Sequence, residues 1–319
     1  MASLTDENRE VEAPLAEAGI GEAPVEVIPS DVGQPVAPPQ PPAKRHRVYD
    51  HKILTFFWVI FVFFVLSNVI SLVIVFGGQA VGIEFDLNRV GDYVGIATGL
   101  VMLLWFHLKF RGEFQGILGW STEGMRMALP ALLFVGINLM GFLETTDINP
   151  IVPVLVMALS PGIAEEVIFR AIPCSNWMRV SCDERSILPN VLVSATVFGI
   201  VHGANLIAGA ALSSTIFQVT YAFALGVFFA AVMLRCGSVW PTIIMHTLID
   251  ASGFLFMDMA TNGIITEELE YGLDFYLTVA AAIILLLVGL YLIRPSKHGG
   301  IVKKWRAKWH KSQARHAQA

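Results

Sequence analysis

Long apolar stretches separated by short polar segments dominate the chain between residues 53 and 293. A helix needs about 20 predominantly apolar residues to cross the hydrocarbon core of a bilayer, with about 17 to 25 typical. Eight stretches meet or approach this length, and 127–143 and 187–203 are the shortest of them. The pattern therefore predicts an all-α polytopic transmembrane helical bundle of about eight spans. The eight stretches lie near 53–76, 90–108, 127–143, 151–173, 187–203, 215–234, 238–257 and 275–293.

Composition agrees with a membrane protein. Hydrophobic residues make up 55% of the 319 residues and charged residues 15%, against roughly 25% charged in soluble domains, and the mean hydropathy is +0.64. We therefore expect an integral membrane protein whose main surroundings are the lipid bilayer, and nothing in the pattern indicates a nucleic-acid partner. The three cysteines have no regular spacing and predict neither a disulfide framework nor a zinc motif.

The two ends of the chain differ from the apolar middle. Residues 1–43 hold eight of the sixteen prolines and eight carboxylates, a composition that predicts a disordered cytoplasmic tail. Residues 44–298 form the predicted transmembrane domain, with its motifs within 151–257, and residues 299–319 are predicted as a basic cytoplasmic tail. In that tail, Trp305 and Trp309 lie one helical turn apart among lysines and arginines. They indicate either an interfacial helix that binds anionic headgroups or an ordinary positive-inside tail.

Lys and Arg in the short connecting segments set the predicted orientation. Basic clusters at 44–52, 109–126 and 179–185 alternate with acidic segments at 84–92 and 144–147. The alternation continues through an uncharged segment, Arg235 and an acidic segment to the basic C-terminus. This pattern predicts eight spans in the cell membrane, with both termini in the cytoplasm.

Ionisable residues inside the apolar stretches are the candidate functional residues, because each costs about 2.5 to 3.5 kcal/mol at the centre of a membrane helix. The sequence EEVIFR at 165–170 places two adjacent carboxylates and an arginine in one stretch. Glu166 and Arg170 are four residues apart, so they share a helix face and form a predicted supporting ion pair. Glu165 has no such local partner, which favours a catalytic function for it.

Two histidines lie in later apolar stretches. His202 follows Phe198 by one helical turn, so the two rings are predicted to pack together. His246 precedes Asp250 by four residues, so the carboxylate is predicted to orient the imidazole. Glu165, His202, His246 and Asp250 are the predicted catalytic residues. Water activation by carboxylate and imidazole is the simplest chemistry that they support.

A divalent metal such as zinc is a second interpretation of the same residues, since His and Glu are zinc ligands. Its predicted ligands are Glu165, His202 and His246. The sequence contains no HExxH motif, no phosphate-binding loop and no serine–histidine pair at a characteristic spacing. The choice between metal-free and metal-assisted hydrolysis stays open at this level.

The three motifs, in order, resemble the CPBP (Abi) family of intramembrane proteases, which includes the type II CAAX prenyl endopeptidases and bacteriocin-processing and immunity proteins. The family pattern EExxxR, FxxxH and HxxxN or HxxxD reads here as EEVIFR at 165–170, FGIVH at 198–202 and HTLID at 246–250. The resemblance covers about 151–257 and implies an intramembrane endopeptidase of the glutamate or metallo type.

Carried over to this sequence, the resemblance implies that Glu165 and His202 activate water. It also implies that His246 and residue 250 stabilise the oxyanion, and that Glu166 and Arg170 support the site. The prenyl endopeptidases have Asn in the last motif, whereas this chain has Asp250. An ionised carboxylate cannot donate a hydrogen bond to an oxyanion, so Asp250 is either protonated or orients His246. This difference also makes a prenylated substrate a weaker expectation than another membrane peptide.

The resemblance implies hydrolysis of a peptide bond in a membrane-associated protein or peptide. Two alternatives stand beside it. The first is a non-catalytic immunity or binding protein on the same scaffold. The second is a proton-coupled transporter, because intramembrane Glu and His residues also form proton relays; the sequence, however, shows no internal repeat of the kind common in transporters.

Overall fold

The structure is a computed structural model that describes residues 46–83, 87–143, 145–258 and 264–316, with the side chains of 87–89 and 310–316 left aside. The predicted tail at 1–43 lies outside these residues. Every regular element in the described ranges is helical, which confirms the all-α polytopic bundle. The α-helices are α1 Lys52–Ala80, α2 Leu87–Phe110, α3 Thr122–Ala128, α4 Leu132–Asn138, α5 Ile151–Glu166, α6 Ile172–Val180, α7 Ile187–Val201, α8 Leu212–Cys236, α9 Trp240–Phe254, α10 Leu273–Leu292 and α11 Pro295–His316.

Among the described residues, seven segments are long and apolar enough to cross a membrane, one fewer than the sequence predicts. The predicted span at 238–257 is the one that differs. It forms α9, whose 15 residues correspond to a length of about 22 Å, short of the roughly 30 Å hydrocarbon core. The seven segments are Lys52–Ala80, Val90–Phe110, Thr122–Leu143, Ile151–Val180, Glu184–Leu206, Leu212–Cys236 and Leu273–Leu292.

The beginning of α1 and helix α11 lie at the same end of the bundle. Asn176, near the end of α6, donates from Nδ2 to the Tyr49 carbonyl at 2.9 Å. The backbone carbonyl of its neighbour Ser175 accepts a hydrogen bond at 3.1 Å from the indole N–H of Trp309 in α11. These contacts place the segment before α1 and helix α11 at the same end of α6. The side of the membrane stays a prediction.

The C-terminal segment is a helix packed against the bundle, and both of its tryptophans belong to the core. Trp305 donates to the Leu234 carbonyl at 2.9 Å, and the Trp309 ring stacks on Phe114 with centroids 4.1 Å apart. Neither interpretation of these tryptophans from the sequence describes this packing. Their indoles tie α11 to the ends of α6 and α8 and do not face lipid headgroups.

Candidate active site

The three predicted motifs meet where the ends of α5 and α7 approach α9. Glu165 and Glu166 are the last two residues of α5, and His202 opens a 3₁₀ turn directly after α7. His246 and Asp250 lie one turn apart within α9. The residues that the sequence singles out are therefore carried by three neighbouring helices.

A close approach of two backbones brings α5 to α9. A Cβ atom placed on Gly162 would collide with the Thr247 hydroxyl. Only glycine leaves the space for this contact, and small residues at helix crossings allow such an approach in membrane proteins. The crossing lies one turn from Glu166 on α5 and one residue from His246 on α9. It therefore sets the distance between Glu166 and His246.

The carboxylate of Glu166 joins two of the motifs. Its Oε1 accepts a hydrogen bond from Arg170 Nη1 at 2.9 Å, as the spacing predicts. The same oxygen lies 2.9 Å from His246 Nδ1, whose N–H donates to it. The side chains of Glu166 and Arg170 are completely buried, so this pair is a structural part of the site.

A π-helical turn, Val167–Ala171, follows Glu166 and carries Arg170. Pro173 accounts for the irregular turn, because proline has no N–H to donate to the carbonyl four residues earlier. That carbonyl belongs to Phe169 and accepts instead from the hydroxyl of Ser194 in α7, at 2.9 Å. Single π turns of this kind are frequent at functional sites.

The second nitrogen of His246 faces two further carboxylates. Its Nε2 lies 3.7 Å from Glu165 Oε2 and 3.6 Å from Asp250 Oδ2. The contact with Asp250 is the one that the four-residue spacing predicts. Three carboxylates thus surround one imidazole.

The ring of Phe198 contacts three of the predicted residues, Arg170, His202 and His246. Its ring lies under the guanidinium of Arg170, with Cζ 3.8 Å from the ring centroid. The same ring makes edge contacts with His202 at 4.7 Å and with His246 at 5.9 Å. The predicted packing of Phe198 against His202 is confirmed, and His202 joins the cluster through this ring.

His202 has a defined hydrogen bond of its own. Its Nδ1 lies 2.8 Å from the Phe198 carbonyl, to which the Nδ1–H donates. This bond fixes the tautomer, and in the neutral ring it leaves the lone pair on Nε2. The side chain is partly exposed, so this lone pair is available to a water molecule.

Exposure separates two kinds of acidic residue in the site. The side chains of Glu165 and Asp250 are 27% and 21% exposed, whereas that of Glu166 is completely buried. A substrate or a water molecule can therefore reach the first two and not the third. The catalytic role of Glu165 and Asp250 stays a prediction.

Phe229 of α8 is a member of the site that the sequence does not reveal. Its ring centroid lies 5.8 Å from that of His246 and 6.0 Å from the guanidinium carbon of Arg170. It occurs in a run of apolar residues with no polar neighbour to mark it. Only the packing of α8 against α9 identifies it.

The predicted metal ligands do not form a metal centre. Within the described part of the chain, no three His, Cys, Asp or Glu side chains are grouped so as to hold a metal ion. Both ring nitrogens of His246 already face carboxylates. In the described residues, Glu165, His202 and His246 are therefore not arranged as a zinc site.

A comparison with protein families finds one match for this region. Residues 147–252 match the family model described as "Type II CAAX prenyl endopeptidase Rce1-like", and this segment contains all three motifs. No curated protein and no solved structure matches the chain. The resemblance drawn from the motifs is confirmed over this segment.

Proposed function

We propose that the protein is an intramembrane endopeptidase, because residues 147–252 match the Rce1-like family model of type II CAAX prenyl endopeptidases. Its substrate is a membrane-associated protein or peptide, and the reaction is hydrolysis of a peptide bond. One observation carries the proposal: the partly exposed Glu165 lies beside His246, which the buried Glu166–Arg170 pair holds in place. A purely structural ion pair would not need an exposed second carboxylate.

Water activation is assigned to Glu165 and His202. The Glu165 carboxylate accepts a proton from a water molecule while the water oxygen bonds to the carbonyl carbon of the substrate. His202 accepts a hydrogen bond from the same water through Nε2, because its Nδ1–H is engaged by the Phe198 carbonyl. The two groups orient the water and increase the electron density on its oxygen.

The tetrahedral intermediate carries its negative charge on the former carbonyl oxygen. His246 is assigned to stabilise this oxyanion through Nε2–H, since Glu166 occupies its Nδ1 side. A hydrogen-bond donor in this position stabilises the negative charge that develops in the transition state. Collapse of the intermediate breaks the C–N bond, and the proton held by Glu165 passes to the departing amine.

Asp250 is assigned to the orientation of His246. Its Oδ2 lies 3.6 Å from the nitrogen that would face the oxyanion, and an ionised carboxylate is an acceptor only. It therefore stabilises the charged imidazole and does not bind the oxyanion itself. Since the prenyl endopeptidases carry Asn at this position, we propose a substrate other than a prenylated CAAX peptide.

The orientation in the membrane is also a proposal. Lys52 and Arg179 lie at the end of the bundle to which α11 packs, and α11 itself carries Lys303, Lys304 and Arg306. Short segments rich in Lys and Arg lie in the cytoplasm. We therefore assign this end of the bundle to the cytoplasmic side of the cell membrane.

Reconstitution in proteoliposomes with a library of hydrophobic peptides tests the activity. In water enriched in ¹⁸O, hydrolysis places one ¹⁸O atom in the new C-terminal carboxylate, which mass spectrometry detects, and empty liposomes serve as the control. A parallel reaction with 1,10-phenanthroline should give the same products, because the proposed step uses Glu165 and no metal. Intact peptides after incubation with folded protein would contradict the proposed function.

A further inference from the structure

Two carboxamide side chains form a hydrogen-bonded pair beside the site. Asn205 Nδ2–H donates to Gln218 Oε1 at 2.8 Å, linking the turn after α7 to the first part of α8. Both side chains are partly exposed. Their neighbours on the same turn, Leu206 and Ile207, are apolar and exposed, so the pair is a polar feature in an apolar surface.

The pair lies next to the catalytic residues. His202 and Asn205 belong to one 3₁₀ turn, His202–Leu206, in which residues three apart are eclipsed and point in the same direction. On α8, Gln218 precedes Tyr221 by about one turn and contacts its hydroxyl. The carboxamides therefore continue the polar side of the turn that begins at His202.

The hydrogen bond within the pair leaves a donor and an acceptor for a ligand. It uses an N–H of Asn205 and the oxygen of Gln218. The oxygen of Asn205 remains, and so does one of the two N–H groups of Gln218, because the other contacts the Tyr221 hydroxyl. A peptide unit presents the matching N–H donor and C=O acceptor.

A peptide substrate in this setting needs such partners. An endopeptidase must bind the chain in an extended form around the scissile bond, so the backbone groups there lose their helical hydrogen bonds. In a low-dielectric site each unsatisfied backbone group costs several kcal/mol. A donor and an acceptor on the enzyme remove this cost without reading the side chains of the substrate.

We propose that Asn205 and Gln218 bind one peptide unit of the substrate backbone beside the scissile bond. The proposal rests on the proposed function, since it assigns a subsite of that peptidase. The oxygen of Asn205 accepts from a substrate N–H, and the amide of Gln218 donates to a substrate carbonyl. The subsite selects for an extended backbone and tolerates varied sequences.

Backbone esters test this contact directly. A fluorogenic peptide that the wild-type protein cleaves in proteoliposomes is synthesised as the amide and as a series in which one N–H at a time is replaced by oxygen. At the position bound by Asn205, the ester should raise KM about three- to tenfold, as the loss of one hydrogen bond implies, with kcat little changed. Equal KM values along the whole series would overturn the proposal without any variant being made.

Substitutions of the two carboxamides then test whether Asn205 is the residue that accepts from the substrate N–H. Asn205→Leu should raise KM for the amide and remove the difference between amide and ester, whereas Gln218→Leu should raise KM for both. Thr220→Val, a change at an exposed position of α8 whose hydroxyl bonds only to the Ile216 carbonyl in its own helix, should leave KM unchanged. A purely structural role would lower the melting temperature or kcat and preserve the ester effect, which would contradict the proposal.

The outcomes also separate this proposal from the proposed function. Absence of cleavage by the wild-type protein would reject the peptidase itself. Cleavage that depends on Glu165, together with a flat ester series, would reject only the subsite.

Discussion

His246 is held by Glu166, whose Oε1 accepts from the imidazole Nδ1–H at 2.9 Å. The same oxygen pairs with Arg170, so the histidine is attached to a buried ion pair on another helix. The orientation of this imidazole therefore depends on α5 as well as on Asp250 in its own helix. Changes to the buried pair should affect stability first, and changes to the exposed carboxylates should affect activity first.

Removal of the guanidinium tests this division. Arg170→Ala leaves Glu166 buried without its cation, and breaking a buried pair costs about 3 to 5 kcal/mol. We expect a lower melting temperature and folded yield than for Glu165→Gln, measured by thermal unfolding in detergent. Arg126→Ala is the control, because that arginine lies at an exposed position of α3. Equal melting temperatures for the Arg170→Ala and Glu165→Gln variants would show that the arginine has no structural role.

Sequence spacing predicts the local contacts of the site and misses its long-range contact. The pairs Glu166–Arg170 and His246–Asp250 follow from residues four apart on a helix, and both are present. The bond between Glu166 and His246 depends on the crossing of α5 and α9 at Gly162. No pattern within either helix specifies that crossing.

Two other predictions from the sequence, the eighth span and the role of the tryptophans in α11, also differ from the structure. Hydropathy predicts an eighth span at 238–257, but the helix in this apolar segment, α9, ends at Phe254 and has 15 residues. The tryptophans of α11 are predicted as interfacial or incidental because their neighbours are basic. In the structure, long basic side chains point past them, and Lys308 Nζ reaches the Gly116 carbonyl at 2.7 Å, while the indoles fill the core.

Helix α11 should contribute substantially to stability. Trp305→Ala removes a fully buried indole and leaves the Leu234 carbonyl without its donor, for an expected loss of about 3 to 5 kcal/mol. Lys303→Ala, at an exposed position of the same helix, should have little effect. Thermal unfolding of the two variants makes the comparison, and similar melting temperatures would mean that α11 is not needed to hold α6 and α8 together.

The orientation is open to chemical labelling. A single cysteine in place of Glu268 should react with an impermeant maleimide added to intact cells, and one in place of Ser312 should react only after lysis. The acidic segment around Glu268 and the basic α11 lead to opposite sides under the positive-inside rule. The reverse labelling pattern would invert the assigned orientation.

Asp250→Asn separates the two roles of that residue. The change keeps the shape but removes the negative charge 3.6 Å from His246 Nε2, a contact that contributes about 1 kcal/mol or more. If Asp250 stabilises the charged imidazole, kcat/KM should fall about tenfold at pH 7. Activity at or above that of the wild-type protein from pH 5 to 9 would instead assign residue 250 to the oxyanion.

The most direct test of the account is the turnover of Glu165→Gln in proteoliposomes. Glutamine keeps the size of the side chain but cannot accept a proton from water, so kcat should fall by about 100- to 10,000-fold. The melting temperature should stay close to that of the wild-type protein, because the side chain is partly exposed. Glu123→Gln, a change at an exposed carboxylate outside the site, should keep full activity. A correctly folded Glu165→Gln protein with kcat within a few-fold of the wild-type value would contradict the assignment of Glu165 as the base that activates water.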